Sequence, residues 1–114
     1  MATVLLVDDD PGFLSVAARL MEAIGLSVAA TAEDAASALS AAHAHRPDAA
    51  LVDIGLPDRD GGDLARDLLA LPWAPRIVLT STDPDARGPD GVPFVPKDKL
   101  PNAPLRRMLG GDDA

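Results

Sequence analysis

The 114-residue chain has no cysteine, which excludes disulfides and thiolate chemistry and fits a reducing compartment. Tyrosine is absent and aromatics make up only 3% of the residues, so the core must be built from Leu, Val, Ile and Ala. No apolar run approaches the length of a membrane span. The N-terminus enters a strand pattern without the marks of a signal peptide, so a cytoplasmic protein with no membrane partner is expected. Repeats and low-complexity tracts are also missing, and the length suits one core. Positive charge is scarce: the formal net charge is −8, which argues against nucleic acid as a partner because phosphate backbones need a basic footprint. Partners bringing a basic surface or a divalent cation fit better. Lysine is rarer still, with two against eight arginines.

What the chain does have is a set of polar residues placed where apolar runs end. Val4-Leu5-Leu6-Val7 leads into Asp8-Asp9-Asp10, and Ala49-Ala50-Leu51-Val52 leads into Asp53. Ile77-Val78-Leu79 leads into Thr80, and Phe94-Val95-Pro96 into Lys97. Short continuous apolar runs between helical patterns are the signature of a parallel sheet covered on both faces. Ligands of such sheets bind outside the carboxyl ends of the strands. Carboxylates, a hydroxyl and an ammonium would then meet at one spot.

The pattern predicts five strand–helix repeats. Strand one covers Thr3–Val7, and Asp10-Pro11 starts a helix whose apolar face is Phe13, Leu14, Ala17, Leu20, Met21 and Ile24, closed by Gly25. Strand two is expected over Leu26–Ala30, and Thr31 with Asp34 resembles a capping box for an alanine-rich helix through His45, ended by Arg46-Pro47. Strand three is Ala49–Asp53, followed by a loop from Gly55 to Gly61. A third helix buries Leu64, Leu68 and Leu71 and stops before Pro72, and strand four is Arg76–Thr80. The segment 83–91 holds two prolines, two glycines and one small apolar residue, so no amphipathic helix can be drawn through it. Strand five, Val92–Pro96, contains two prolines and must be an edge strand. A last helix over about Asn102–Leu109 precedes a Gly-Gly-acidic tail. One domain, 1–110, with a short acidic tail at 111–114 is expected. Strand order 2-1-3-4-5 makes this a flavodoxin-like doubly wound α/β fold.

Three converging carboxylates, Asp8, Asp9 and Asp53, repel one another by up to ~4 kcal/mol per pair at about 4 Å and an effective dielectric near 20. A hard divalent cation such as Mg²⁺ (or Mn²⁺) cancels that repulsion, and a few carboxylates plus waters is how it is usually held. Asp53 would keep one oxygen as a nucleophile toward phosphorus, forming an acyl phosphate. The phosphoryl oxygens would be met by the cation, by Lys97 and by Thr80. Lys97 stands out as a compact charge in a chain that otherwise favours arginine.

These residues carry a resemblance. Val4–Pro11, Leu51–Gly61, Ile77–Ser81 and Phe94–Asp98 together make the chain similar to a bacterial two-component response-regulator receiver domain, over nearly its whole length. The resemblance implies Asp53 as phosphoacceptor, and Asp8, Asp9, Asp53 and the Gly55 carbonyl as metal ligands. It implies Thr80 as the hydroxyl that moves toward the phosphoryl group, Lys97 as its charge partner and Phe94 as the aromatic that swings inward. The donor would be a sensor histidine kinase or histidine phosphotransfer protein, and the output contact with a downstream protein target. Turnover of an external substrate is not expected.

Departures accompany the likeness. Relatives carry a full helix where residues 83–91 form a Pro/Gly/Asp segment. Their lysine is often followed by a cis proline, whereas here Pro96 precedes Lys97 and Asp98 follows it. Gly55 and Thr82 offer no carboxamide or acid to position water. Two alternatives follow: a receiver-like interaction protein no longer controlled by phosphorylation, or a Mg²⁺-dependent phosphohydrolase of the haloacid-dehalogenase type using Asp8 and Asp10. Simpler readings cover the rest. His43 and His45 are solvated, Trp73 is local packing, and Asp58, Asp60, Asp63 and Asp67 are polar-face and helix-start charges of the third helix.

Overall fold

The computed structural model describes residues 2–111, so the acidic tail expected from 111 onward lies, past Gly111, outside the described residues. Strands β1 (Thr3–Val7), β2 (Ser27–Ala32), β3 (Ala49–Asp53) and β4 (Arg76–Thr80) form a parallel sheet of order β2-β1-β3-β4. Helices α1 (Pro11–Ala23), α2 (Ala35–His45), α3 (Gly61–Leu69) and α4 (Leu105–Gly110) cover it, with a 3₁₀ turn at Lys97–Asn102. This is the expected flavodoxin-like architecture.

Alternate residues of each strand point to opposite faces, which accounts for the unbroken apolar runs. Leu5, Val7, Ala50, Val52, Ile77 and Leu79 face α2 and α3, meeting Ala35, Ala38, Ala42, Leu64, Ala65 and Leu68. Val4, Leu6, Ala49, Leu51 and Val78 face α1 and α4, meeting Leu14, Ala17, Met21, Leu105 and Leu109. The alanines of α2 let its backbone lie close to the sheet, as their buried positions require.

Among the described residues the sheet has four strands, not the five expected. Residues 92–96 run beside β4 but bond to it at separate points: Leu79 N–H to Pro93 O (2.8 Å), Val95 N–H to Leu79 O (2.9 Å) and Lys97 N–H to Ser81 O (3.0 Å). In that register residue 93 would next donate toward β4, and proline has no N–H to give. Only a single bridge, Leu79 to Phe94, is left of the expected strand. Segment 83–91 forms turns without a helix, as the sequence predicts. A side chain at Gly88 would collide with Leu79, so this loop lies directly on the sheet edge.

Three local details differ from expectation. β2 extends to Ala32, so Thr31 is an exposed strand residue and not a cap; Asp34 is the N-cap residue of α2, accepting from Ser37 N–H at 2.7 Å. The last helix is split, because proline disfavours a helical residue before it and Pro104 thereby resets the chain. Leu71 is only partly buried.

Asp58 does not serve α3. Its carboxylate accepts from the backbone N–H groups of Ala35 (2.8 Å) and Ala36 (3.0 Å), tying the loop after β3 to the start of α2. The Ala35 N–H holds the Asp58 carboxyl below its usual 3.8, with Ala36 N–H adding to it. A depressed value gives stability that is present above 3.8 and lost as pH falls through the lowered value. Asp58→Ala is therefore expected to lower the thermal midpoint at neutral pH, with the gap to wild type closing in strong acid. Circular dichroism melts at both extremes check this.

Candidate functional site

Strand register builds the site. Val7 pairs with Val52, so Asp8, the next residue, leaves β1 beside Asp53 at the end of β3. Asp53 in turn pairs with Thr80 of β4. One carboxylate oxygen from each of Asp8, Asp9 and Asp53 lies within 4.8 Å of the others. Asp8 is fully buried and Asp53 nearly so, while Asp9 is exposed. The predicted convergence of strand-end carboxylates is present in the folded chain.

Lys97 reaches the same cluster, its Nζ lying 2.7 Å from Asp8 Oδ2. At that distance the ammonium and the buried carboxylate form a close, charge-assisted ion pair. Asp8 Oδ1 accepts from Asp10 N–H at 2.9 Å. Thr80 Oγ1 is buried and has no hydrogen-bond partner among the described residues. Such an orphan costs roughly 1–3 kcal/mol and signals a missing partner.

Burial is the main cause that raises the Asp53 carboxyl above its ordinary 3.8, and Asp8 is the second. Lys97 and the Gly55 backbone N–H pull it back, and Asp9 adds a smaller upward push. Asp53 therefore stands among negative charge that its one nearby ammonium does not fully offset. The donor set suits a hard divalent cation: oxygen-only, crowded, partly buried and partly open to water at Asp9. The buried Thr80 Oγ1, without a partner among the described residues, agrees with a further ligand belonging beside it.

Asp10 is turned away. Its carboxylate accepts from Gly12 N–H at 2.9 Å and caps α1, so the Asp8/Asp10 pair needed for a dehalogenase-type hydrolase does not converge. Phe94 is half-buried against the core facing α2 and α3, beside Leu79. Trp73 packs locally, donating Nε1–H to Pro47 O at 3.0 Å under the Arg46 guanidinium.

Sequence reasoning did not anticipate Phe13. Read as a core residue of the first helix, it also lies under Lys97, whose Nζ is 4.3 Å from the ring centroid. Its place one turn after the aspartates was a usable signal, but the pairing with Lys97 depends on a long-range fold contact.

Fold and strand-end site together define a doubly wound α/β domain with an acidic, cation-compatible centre. Residues 4–90 match the family model of the response regulator receiver domain, a span that includes Asp8, Asp9, Asp53, Gly55 and Thr80. The chain is 40% identical over 81 residues to the transcriptional regulatory protein KdpE of Mycobacterium tuberculosis, covering 71% of this chain and 35% of that protein. It is 37% identical over 82 residues to the probable transcriptional regulatory protein TcrX of the same organism, with the same coverages. Among solved structures, the receiver domain of the response regulator NarL from M. tuberculosis superposes with a TM-score of 0.75 at 29% identity, covering 89% of this chain and 87% of that one. A CheY-like receiver domain protein from Methanospirillum hungatei superposes with a TM-score of 0.79 at 24% identity over 95% and 90% of the two chains, a likeness of fold. This chain belongs to the receiver-domain family of two-component response regulators. It spans about a third of the length of these curated relatives. Among the described residues, no helix is long and apolar enough to cross a membrane.

Proposed function

We propose that this domain is a phosphoacceptor. Asp53 takes a phosphoryl group from a phosphohistidine on a sensor histidine kinase or histidine phosphotransfer protein, and the modified domain signals through contacts with a downstream protein. The observation that carries this reading is the joint placement of three carboxylates within 4.8 Å, a buried unpartnered Thr80 hydroxyl and the Lys97 ammonium at adjoining strand ends. Stability alone does not explain such a grouping.

Asp8, Asp9, Asp53 and the Gly55 carbonyl would hold Mg²⁺ or Mn²⁺, which supplies charge neutralisation to the carboxylates and to the transferred group. A free oxygen of Asp53 attacks phosphorus; the P–N bond to the imidazole breaks, and its electron pair leaves with the nitrogen. Lys97 exchanges part of its pairing with Asp8 for a phosphoryl oxygen. Thr80 Oγ1, which lacks a partner among the described residues, donates to another. Phe94, beside the Leu79–Thr80 strand end, moves inward as Thr80 shifts and carries the change to the sheet edge.

The test is a titration with Mg²⁺ and beryllofluoride followed by NMR. Thr80, Phe94 and Lys97 are expected to shift together, and resonances of these three that stay in place would overturn the reading. Intact-mass measurement after acetyl phosphate treatment is expected to show a +80 Da adduct.

A further inference from the structure

Lys97 is held from two sides. Its ammonium pairs with Asp8 Oδ2 at 2.7 Å and stands 4.3 Å from the centroid of Phe13, on the first turn of α1. Its backbone is fixed by the bond from Lys97 N–H to Ser81 O at 3.0 Å, so the stem starts from a set point. Only 16% of the side chain is exposed, leaving little water for an ammonium with three donors. The first turn of a helix is also its positive end, which disfavours a cation there. The negative face of an aromatic ring offsets that disfavour.

A ring face differs from a second carboxylate in one respect that matters here. It attracts the ammonium without formal charge, so it adds no repulsion to the acidic cluster and does not compete with phosphoryl oxygens for a proton. If Phe13 served only as core, an aliphatic side chain of similar volume would replace it. An ammonium seat needs the π face.

We propose that Phe13 is a positioning residue for Lys97: its ring keeps the ammonium at the carboxylate cluster while the pairing with Asp8 is exchanged for an incoming phosphoryl oxygen. The purpose of the seat rests on the phosphoacceptor reading; the seat itself does not.

Two lysines make the test simple, because the lysine side-chain ammonium signals of uniformly ¹⁵N-labelled protein come only from Lys97 and Lys99. In the wild type, the Lys97 ammonium resonance is expected upfield of Lys99 through the ring current, with slow hydrogen exchange. Phe13→Leu is expected to move it toward Lys99 and to speed its exchange about fivefold, while Phe13→Tyr, which retains the ring face, preserves both. Phe13→Met takes the place of the leucine variant if that variant does not fold. A Lys97 signal unchanged in the aliphatic variant overturns the proposal. With acetyl phosphate and Mg²⁺, the rate of +80 Da adduct formation is expected to fall about fivefold in Phe13→Leu and to recover in Phe13→Tyr. An unaltered rate overturns the positioning role. Absence of any adduct in the wild type overturns the phosphoacceptor reading instead, and the ammonium spectra then decide on Phe13 alone.

Discussion

Asp53→Asn is expected to abolish the +80 Da adduct completely and, in EDTA, to make the fold more stable than wild type. The first effect follows from removing the attacking oxygen; an amide in that place is no nucleophile toward phosphorus. The second follows from the electrostatics, since burial and Asp8 raise the Asp53 carboxyl above 3.8. A raised value means the folded chain binds the proton more tightly than the unfolded chain. The stability this contributes is fully present below 3.8 and is lost as pH rises through the raised value. The asparagine variant escapes that loss, so its advantage opens across this window and persists at neutral pH. Each kcal/mol of repulsion relieved moves the thermal midpoint by about 4 °C in a domain of this size. Adding Mg²⁺ should narrow or invert the gap, because a cation bound to the folded wild type stabilises it by mass action. Melts in EDTA and in Mg²⁺ across pH provide the measurement, and a wild type more stable than the variant in EDTA contradicts the account.

Gly61→Ala is expected to be the most damaging single methyl addition near the site. An added Cβ would strike the Asp53 carbonyl oxygen and lie 2.7 Å from Ile54 Cα. Both obstacles are backbone, so no rotamer change relieves them. The Gly61 N–H also donates to Ile54 O at 2.8 Å, which fixes the helix start against the strand end. Relief requires moving either α3 or the residue that carries the acceptor carboxylate. A cost of at least about 3 kcal/mol is expected, at the upper end for overpacking, together with a weaker Mg²⁺-dependent rise in midpoint. Chemical denaturation with and without Mg²⁺ reads both. The same substitution at Gly91, where an added Cβ meets nothing within 4 Å, perturbs only a positive-φ loop and serves as the control.

How much of this could be read in the chain depends on the range of the interaction. Continuous apolar runs at Val4–Val7, Ala49–Val52 and Ile77–Leu79 identified doubly covered strands, and parallel order then brought Asp8, Asp53 and Thr80 together, as the register bears out. The edge was harder. Residues 92–96 have strand composition, but ladder formation turns on which face of the segment each proline occupies. Pro93 falls where an N–H toward β4 is needed, and that register is fixed only by tertiary packing. Thr31 and Asp34 both suit an N-cap; the choice was made by β2 continuing to Ala32. Helical periodicity is local and points Asp58 and Phe13 to their own helices, whereas their partners, Ala35 and Lys97, come from distant parts of the chain.

Trp73, the chain's only tryptophan, sits at the opposite pole of the sheet from Asp53, between α3 and the start of β4, bonded to Pro47 O and stacked under Arg46. Its fluorescence is thus an optical gauge of global integrity that is blind to events at the acidic pole. Emission that tracks unfolding yet ignores acetyl phosphate would report denaturation alone, uncontaminated by ligation at the other end of the sheet.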